Sequence, residues 1–253
     1  MYTFTISRLF RFFSFALLAF FLLGCGGGSS YKKSPLDDII RDLPDNEVYS
    51  IILYDMDVKG NFFESYFHKY KIVRGSDPNN ISEIETDWKE VSEKEFKTYV
   101  NDMGMEIAAR DSTGKLTKNV APPGYNNYVG NPRYGYWNNS GGSSFWAFYG
   151  QYAFMSSMFN MMTYPARRSY YNDWRGNYYG SGRRYYGPRD EGGGSGGRYY
   201  GTNSSYNRNS NPSSSWSRNN SSFKNRVASR TGRTSSNRSS SSSSRSRGGG
   251  FGK

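Results

Sequence analysis

The chain has 253 residues, 33 of them Lys or Arg against 21 Asp or Glu, for a net charge of +12, and it holds one cysteine and one histidine. One cysteine excludes an intrachain disulfide, and one histidine beside it leaves too few ligands for a zinc site. The charge is unevenly spread: residues 25–166 carry 14 basic and 18 acidic side chains, whereas residues 167–253 carry 17 and 3. That split predicts a mildly acidic folded part followed by a basic segment suited to anions.

Residues 1–24 read as an export signal. Arg8 and Arg11 are the only charges before Lys32, and Phe12–Leu23 is apolar apart from Ser14. At about 1.5 Å per residue this run is too short to cross roughly 30 Å of hydrocarbon as a helix. A charged start, a short apolar stretch and small residues at its end are the marks of a secretory signal. Leu22, Leu23, Gly24 and Cys25 together resemble the lipobox of bacterial lipoproteins. The resemblance implies that Cys25 is lipidated, that a peptidase cuts before it, and that the mature chain is held to a membrane by covalent lipid. Residues 25–33 then form a tether, flexible through Gly26–Ser30. Gly26, rather than Asp, after the cysteine implies the outer membrane where the envelope has two.

Residues 34–120 carry the pattern of a small α+β domain. Ser34-Pro35 suits a helix start, Leu36, Ile39, Ile40 and Leu43 share one face, and Pro44 ends the helix. Residues 47–58 and 62–73, rich in β-branched and aromatic types, read as two strands around the turn Lys59-Gly60-Asn61. A short strand near Ile84–Val91 follows. Ser92 and Glu95 form a capping box for a helix that ends at Gly104, and residues 105–110 alternate as a strand.

Residues 121–142, rich in Gly, Asn, Pro and Tyr, read as a turn-rich linker. Residues 143–164 are uncharged and compatible with one apolar helix. Phe145, Trp146, Gly150 and Ala153 are its candidate association residues, the small ones allowing another backbone close; self-association or a partner protein is the leading expected use, with interfacial membrane contact and packing on the small domain as the alternatives. Residues 165–253 contain no Leu, Ile or Met, and Val227 is the one branched aliphatic residue. Such a composition predicts a disordered basic tail. Its first half repeats Tyr-Tyr pairs at irregular spacing, at 170–171, 178–179, 185–186 and 199–200.

Little in the chain suggests catalysis. His68 sits in a predicted strand without a nucleophile or an orienting partner. Asp55, Asp57 and Gly60 match the start of a calcium loop, but Lys59 and Tyr66 fall where oxygen ligands are needed. No catalytic residue, metal site or cofactor is therefore expected. The Arg/Tyr pattern is the stronger signal, because arginine pairs with phosphate or carboxylate and tyrosine stacks on flat groups. Arg167, Arg168, Arg175, Arg183, Arg184 and Arg198 are the candidate polyanion-binding residues. An exported chain would meet anionic lipid, acidic glycan or extracellular DNA, and no cytosolic nucleic acid. Gly142-Ser143-Ser144-Phe145-Trp146, the Met/aromatic segment after it, and Arg247-Gly248-Gly249-Gly250-Phe251-Gly252 resemble the YgiB-type lipoproteins, whose molecular function is uncharacterised. The expected function is non-enzymatic: a lipid-anchored envelope protein that binds or organises anionic material through its basic tail. The alternative is a small protein-binding or inhibitory module over 34–120, with the tail as a spacer.

Overall fold

A central strand flanked by apolar residues on both of its faces organises the fold. In the computed structural model, residues 33–60, 64–75, 77–189 and 197–219 are described, together with Lys224, Asn225, Val227 and Ser229. Helix α1 (Pro35–Asp42) buries Leu36 and Ile40 and places Asp37 and Asp38 in its first turn. Strands β1 (Tyr49–Lys59) and β2 (Ser65–Arg74) pair antiparallel, and β3 (Ser82–Glu85) and β4 (Lys89–Val91) both add to β2. Helix α2 (Glu93–Tyr99) begins with Ser92 Oγ accepting from the Glu95 amide at 3.1 Å. Strand β5 (Glu106–Arg110) runs antiparallel to β1 on its other side and carries β6 (Leu116–Thr117) at the edge. The order is β3-β2-β1-β5-β6, an α+β arrangement.

β1 reads as a nearly continuous apolar run because it is covered on both faces. Tyr49, Ile51 and Leu53 join one core with Tyr70, Phe96 and Ile107. Val48 and Ile52 join a second core with Val73, Tyr128 and Trp174. The register of β1 against β2 slips between Leu53 and Asp55. One extra residue there reverses the alternation, so Met56 returns to the face of Leu53.

The structure departs from the sequence pattern beyond residue 120. The expected linker is packed: Tyr125, Tyr128, Val129 and Tyr134 are buried. The expected apolar helix over 143–164 does not form. β7 (Gly135–Ser140) and β8 (Ser143–Phe148) make a hairpin instead, followed by a 3-10 turn at Gly150–Tyr152 and the single-turn helix α3 (Met155–Met158). Gly141 and Gly142 connect the strands with φ of 59° and 80°. Two positive values in a two-residue loop match the twist of a hairpin and suit glycine. Among the described residues no helix is long and apolar enough to cross a membrane.

The expected disorder from 165 onward is corrected for residues 165–189 and 197–219. Helix α4 (Arg168–Asn177) buries Trp174, α5 (Ser205–Ser210) buries Tyr206 and α6 (Ser215–Arg218) buries Trp216. An aromatic side chain can bury 150–250 Å², so rings replace the missing aliphatic side chains. This segment does not build a core of its own. Tyr200, Tyr206 and Trp216 complete the first core, while Trp174 and Tyr185 complete the second. A boundary at 120, with a spacer beyond it, would cut through both. The described residues from Ser34 onward accordingly form one unit.

Candidate polyanion interface

Two buried carboxylates fix the C-terminal half against the sheet. Asp55, in β1, accepts from Ser214 Oγ at 2.6 Å and from the backbone of Ser215 and Trp216 at 2.7 and 3.3 Å. It therefore takes up the free amides that begin α6. Asp102 is fully buried and accepts from Arg184 Nε and Tyr186 OH, both at 2.7 Å. Burial raises the Asp102 carboxyl above its ordinary range, against the pull of Arg184. Thr202 adds a third attachment, donating to the Val100 carbonyl and accepting from the Met103 amide. Gly104, with φ of +78°, leaves room for the approach of Asn207, whose Oδ1 would lie 2.9 Å from an added Cβ.

These attachments hold the Tyr-Tyr pairs in place and so position the arginines. Arg175 lies 4.0 Å from the Tyr179 ring centre, Arg183 4.9 Å from Tyr178, and Arg198 4.2 Å from Tyr186. Arg167 and Arg168 lie farther from Tyr170 and Trp137, at 5.9 and 6.0 Å. A ring beneath a guanidinium restrains its plane and leaves its N–H edges available, although Arg183 Nη2 already donates to the Asn177 carbonyl. These five arginines are exposed, and among the described residues none forms an ion pair. Asp173 is the only carboxylate in residues 112–189, and it accepts from Asn177. Arg184 differs from the other five candidates: its pairing with Asp102 makes it an anchor of the fold.

The other candidates separate in the same way. Phe145 and Trp146 lie in β8, Gly150 in the 3-10 turn and Ala153 after it, so no association helix presents them. Phe145, Trp146 and Ala153 nonetheless line one groove. His68 is fully buried between Phe96 and Tyr70, with Nδ1 3.2 Å from the Tyr70 hydroxyl. Burial pushes its imidazole down to about 3, so it is neutral. Asp57 accepts from the Val58 amide, and Asp55 is occupied by α6. Among the described residues no group of His, Cys, Asp or Glu is arranged to hold a metal ion. Leu22, Leu23, Gly24 and Cys25 lie outside the described residues.

Glu106 is the buried acid that sequence reasoning missed. It accepts from the Gly124 amide at 3.1 Å and from the Asn126 side chain. Burial pushes its carboxyl up to about 7, and these hydrogen bonds hold it lower than burial alone would. Its partners show its role, which is to hold the 122–130 turns on β5. In the sequence, Glu106 only marks the outward phase of an alternating strand. The turns that cover that phase come from residues with no periodic signal.

Comparison of the chain with protein-family models, with curated proteins and with solved structures finds no match.

Proposed function

We propose that the protein is a non-enzymatic, lipid-anchored envelope protein that binds or organises anionic material. The anchor is lipid on Cys25, and the material is anionic lipid, acidic glycan or extracellular DNA. The observation that carries the reading is the set of five exposed arginines on aromatic rings, none of them ion-paired among the described residues. A folded arginine layer loses less entropy on binding than a free tail, because its side chains are already held. The basic residues beyond 219 add charge of the same sign.

The test is binding of the full chain to alginate, to duplex DNA and to phosphatidylglycerol vesicles across a salt series. Affinity should fall steeply with salt, since the screening length shortens from about 8 Å to about 3 Å between 0.15 and 1 M. Replacing Arg175, Arg183 and Arg198 together by Gln should cost roughly 2–3 kcal/mol, at about 1 kcal/mol for each basic residue near an anionic surface. Salt-independent binding, or unchanged affinity in the triple variant, would reject the arginine layer as the binding surface. For the anchor, mass spectrometry of the cell-derived protein should find acylated Cys25, and an unmodified thiol there would reject it.

A further inference from the structure

Residues 134–166 contain no Asp, Glu, Lys, Arg or His. β8, α3 and residues 161–165 fold part of this stretch around a groove of about 410 Å³, lined by Phe145, Trp146, Phe148, Met161 and Met162. Apolar groups also face water: Met162 is 82 % exposed and Phe154 is 38 % exposed. Tyr136 and Tyr149, both exposed, stack on each other at 5.8 Å. Met162 lines the groove and Phe154 directly follows Ala153, another lining residue, and exposed apolar groups gathered at such a groove mark an interaction site.

Cations border the groove. Arg167 bridges Phe145 through the backbone, beside the Trp146 amide that donates to the Ala166 carbonyl at 2.8 Å. Arg168 lies over Trp137, which packs edge-on against Trp146 at 5.2 Å. Neither arginine forms an ion pair among the described residues, and Asp173 is the nearest carboxylate in sequence.

We propose that this face docks on an anionic lipid surface. Met162 and Phe154 enter the acyl-chain boundary, and Arg167 and Arg168 meet the headgroup phosphates. Charge complementarity selects this occupant over a second copy of the chain. A two-fold contact presents the same patch from both sides and brings like-charged arginines together. Anionic headgroups supply the opposite sign, and Trp and Tyr suit the boundary between water and hydrocarbon. The inference goes beyond polyanion capture by the Arg/Tyr layer and does not depend on lipid at Cys25.

The test reads immersion at single positions in the full chain. In a Cys25→Ser background, Met162→Cys is labelled with a polarity-sensitive fluorophore. A matched chain carries the label through Lys94→Cys on α2, which packs on the other core. On vesicles containing phosphatidylglycerol, emission from position 162 should shift to the blue and be quenched by brominated acyl chains. Position 94 should stay solvent-like, even where residues 12–23 hold the chain to the vesicle. Phe154→Asp should raise the lipid concentration for half-maximal shift at least tenfold, and so should pure phosphatidylcholine vesicles. Failure to sediment with vesicles would overturn the proposal, as would a solvent-like position 162 on a vesicle-bound chain. A blue shift that follows protein concentration without lipid would overturn it in favour of a second copy.

Discussion

The sheet between residues 49 and 117 is packed mainly with Ile, Leu, Val and Met, beside Tyr49, Tyr70 and Phe96, whereas the layer from 122 to 219 is packed mainly with Tyr, Trp and Phe. The first region makes its hydrogen bonds strand to strand. The second is fastened through side chains, above all Asp55, Asp102 and Thr202. Its rings meet one another mostly edge-on or tilted, as at Tyr128–Tyr134, Tyr125–Trp174 and Tyr199–Tyr200. That is the geometry ring quadrupoles favour. The difference teaches that a segment poor in aliphatic residues can be an integral part of a core when a neighbouring sheet supplies the other side.

The sharpest way to break the comparison is to hollow out each region. Trp174→Ala should cost about 3–5 kcal/mol and Leu53→Ala about 2–5 kcal/mol, both read from urea unfolding. The two should be of similar size, because each side chain sits at the centre of a closed core. A cost below about 1 kcal/mol for Trp174→Ala would show a loosely laid cover.

A smaller effect is expected where the layer is fastened. Asp102→Ala removes the acceptor of Arg184 and Tyr186 together, and should cost about 2–3 kcal/mol, since charge-assisted hydrogen bonds are the stronger kind. Urea unfolding again measures it. If Asp102→Ala is neutral, the attachment lies elsewhere.

The smallest effect is conditional on pH. Glu106 has a folded pKa of about 7 against an ordinary value of 4.5. The folded chain therefore binds its proton more tightly than the unfolded chain. The stability this contributes is complete below about pH 4.5 and is lost as the pH rises through about 7. Glu106→Gln keeps the group neutral at every pH, and Asn126 Oδ1, buried without a partner in the described structure, can turn to accept the new amide. The variant should gain roughly 1–2 kcal/mol over the parent above pH 7 and lose that advantage below about pH 4.5. Thermal melts across that range test it, and a pH-independent difference would reject the assignment.

What the sequence made legible follows the same division. Residues 35–43 and 105–110 announce their elements because their apolar residues repeat with the period of a helix or a strand. Beyond 121 most of the buried residues, those of β8 apart, have no such period. Tyr125, Tyr128 and Tyr134 lie in turns, and Tyr185 and Tyr200 in irregular segments, so each is placed by tertiary contact alone. One signal was present and outweighed: Gly141-Gly142 between aromatic runs is a hairpin turn, but the uncharged Met-rich stretch after it favoured a helix. The arginines were legible as basic residues beside tyrosines. Their division into an anchor, Arg184, and five exposed cations was not, because it depends on Asp102, 82 residues away from Arg184.

The central claim is that residues 168–218 and the sheet form one cooperative structure. Native-state hydrogen exchange tests it most directly. The amides of Tyr178 and Tyr179, which donate to the Trp174 carbonyl, and of Asn211, which donates to Asn207, lie in the layer, and those of Ile51 and Leu53 lie in β1. The buried amides of both regions should open with the same free energy and the same denaturant dependence, that of global unfolding. Exchange of the 168–218 amides at the rate of an unstructured chain, with β1 still protected, would contradict it.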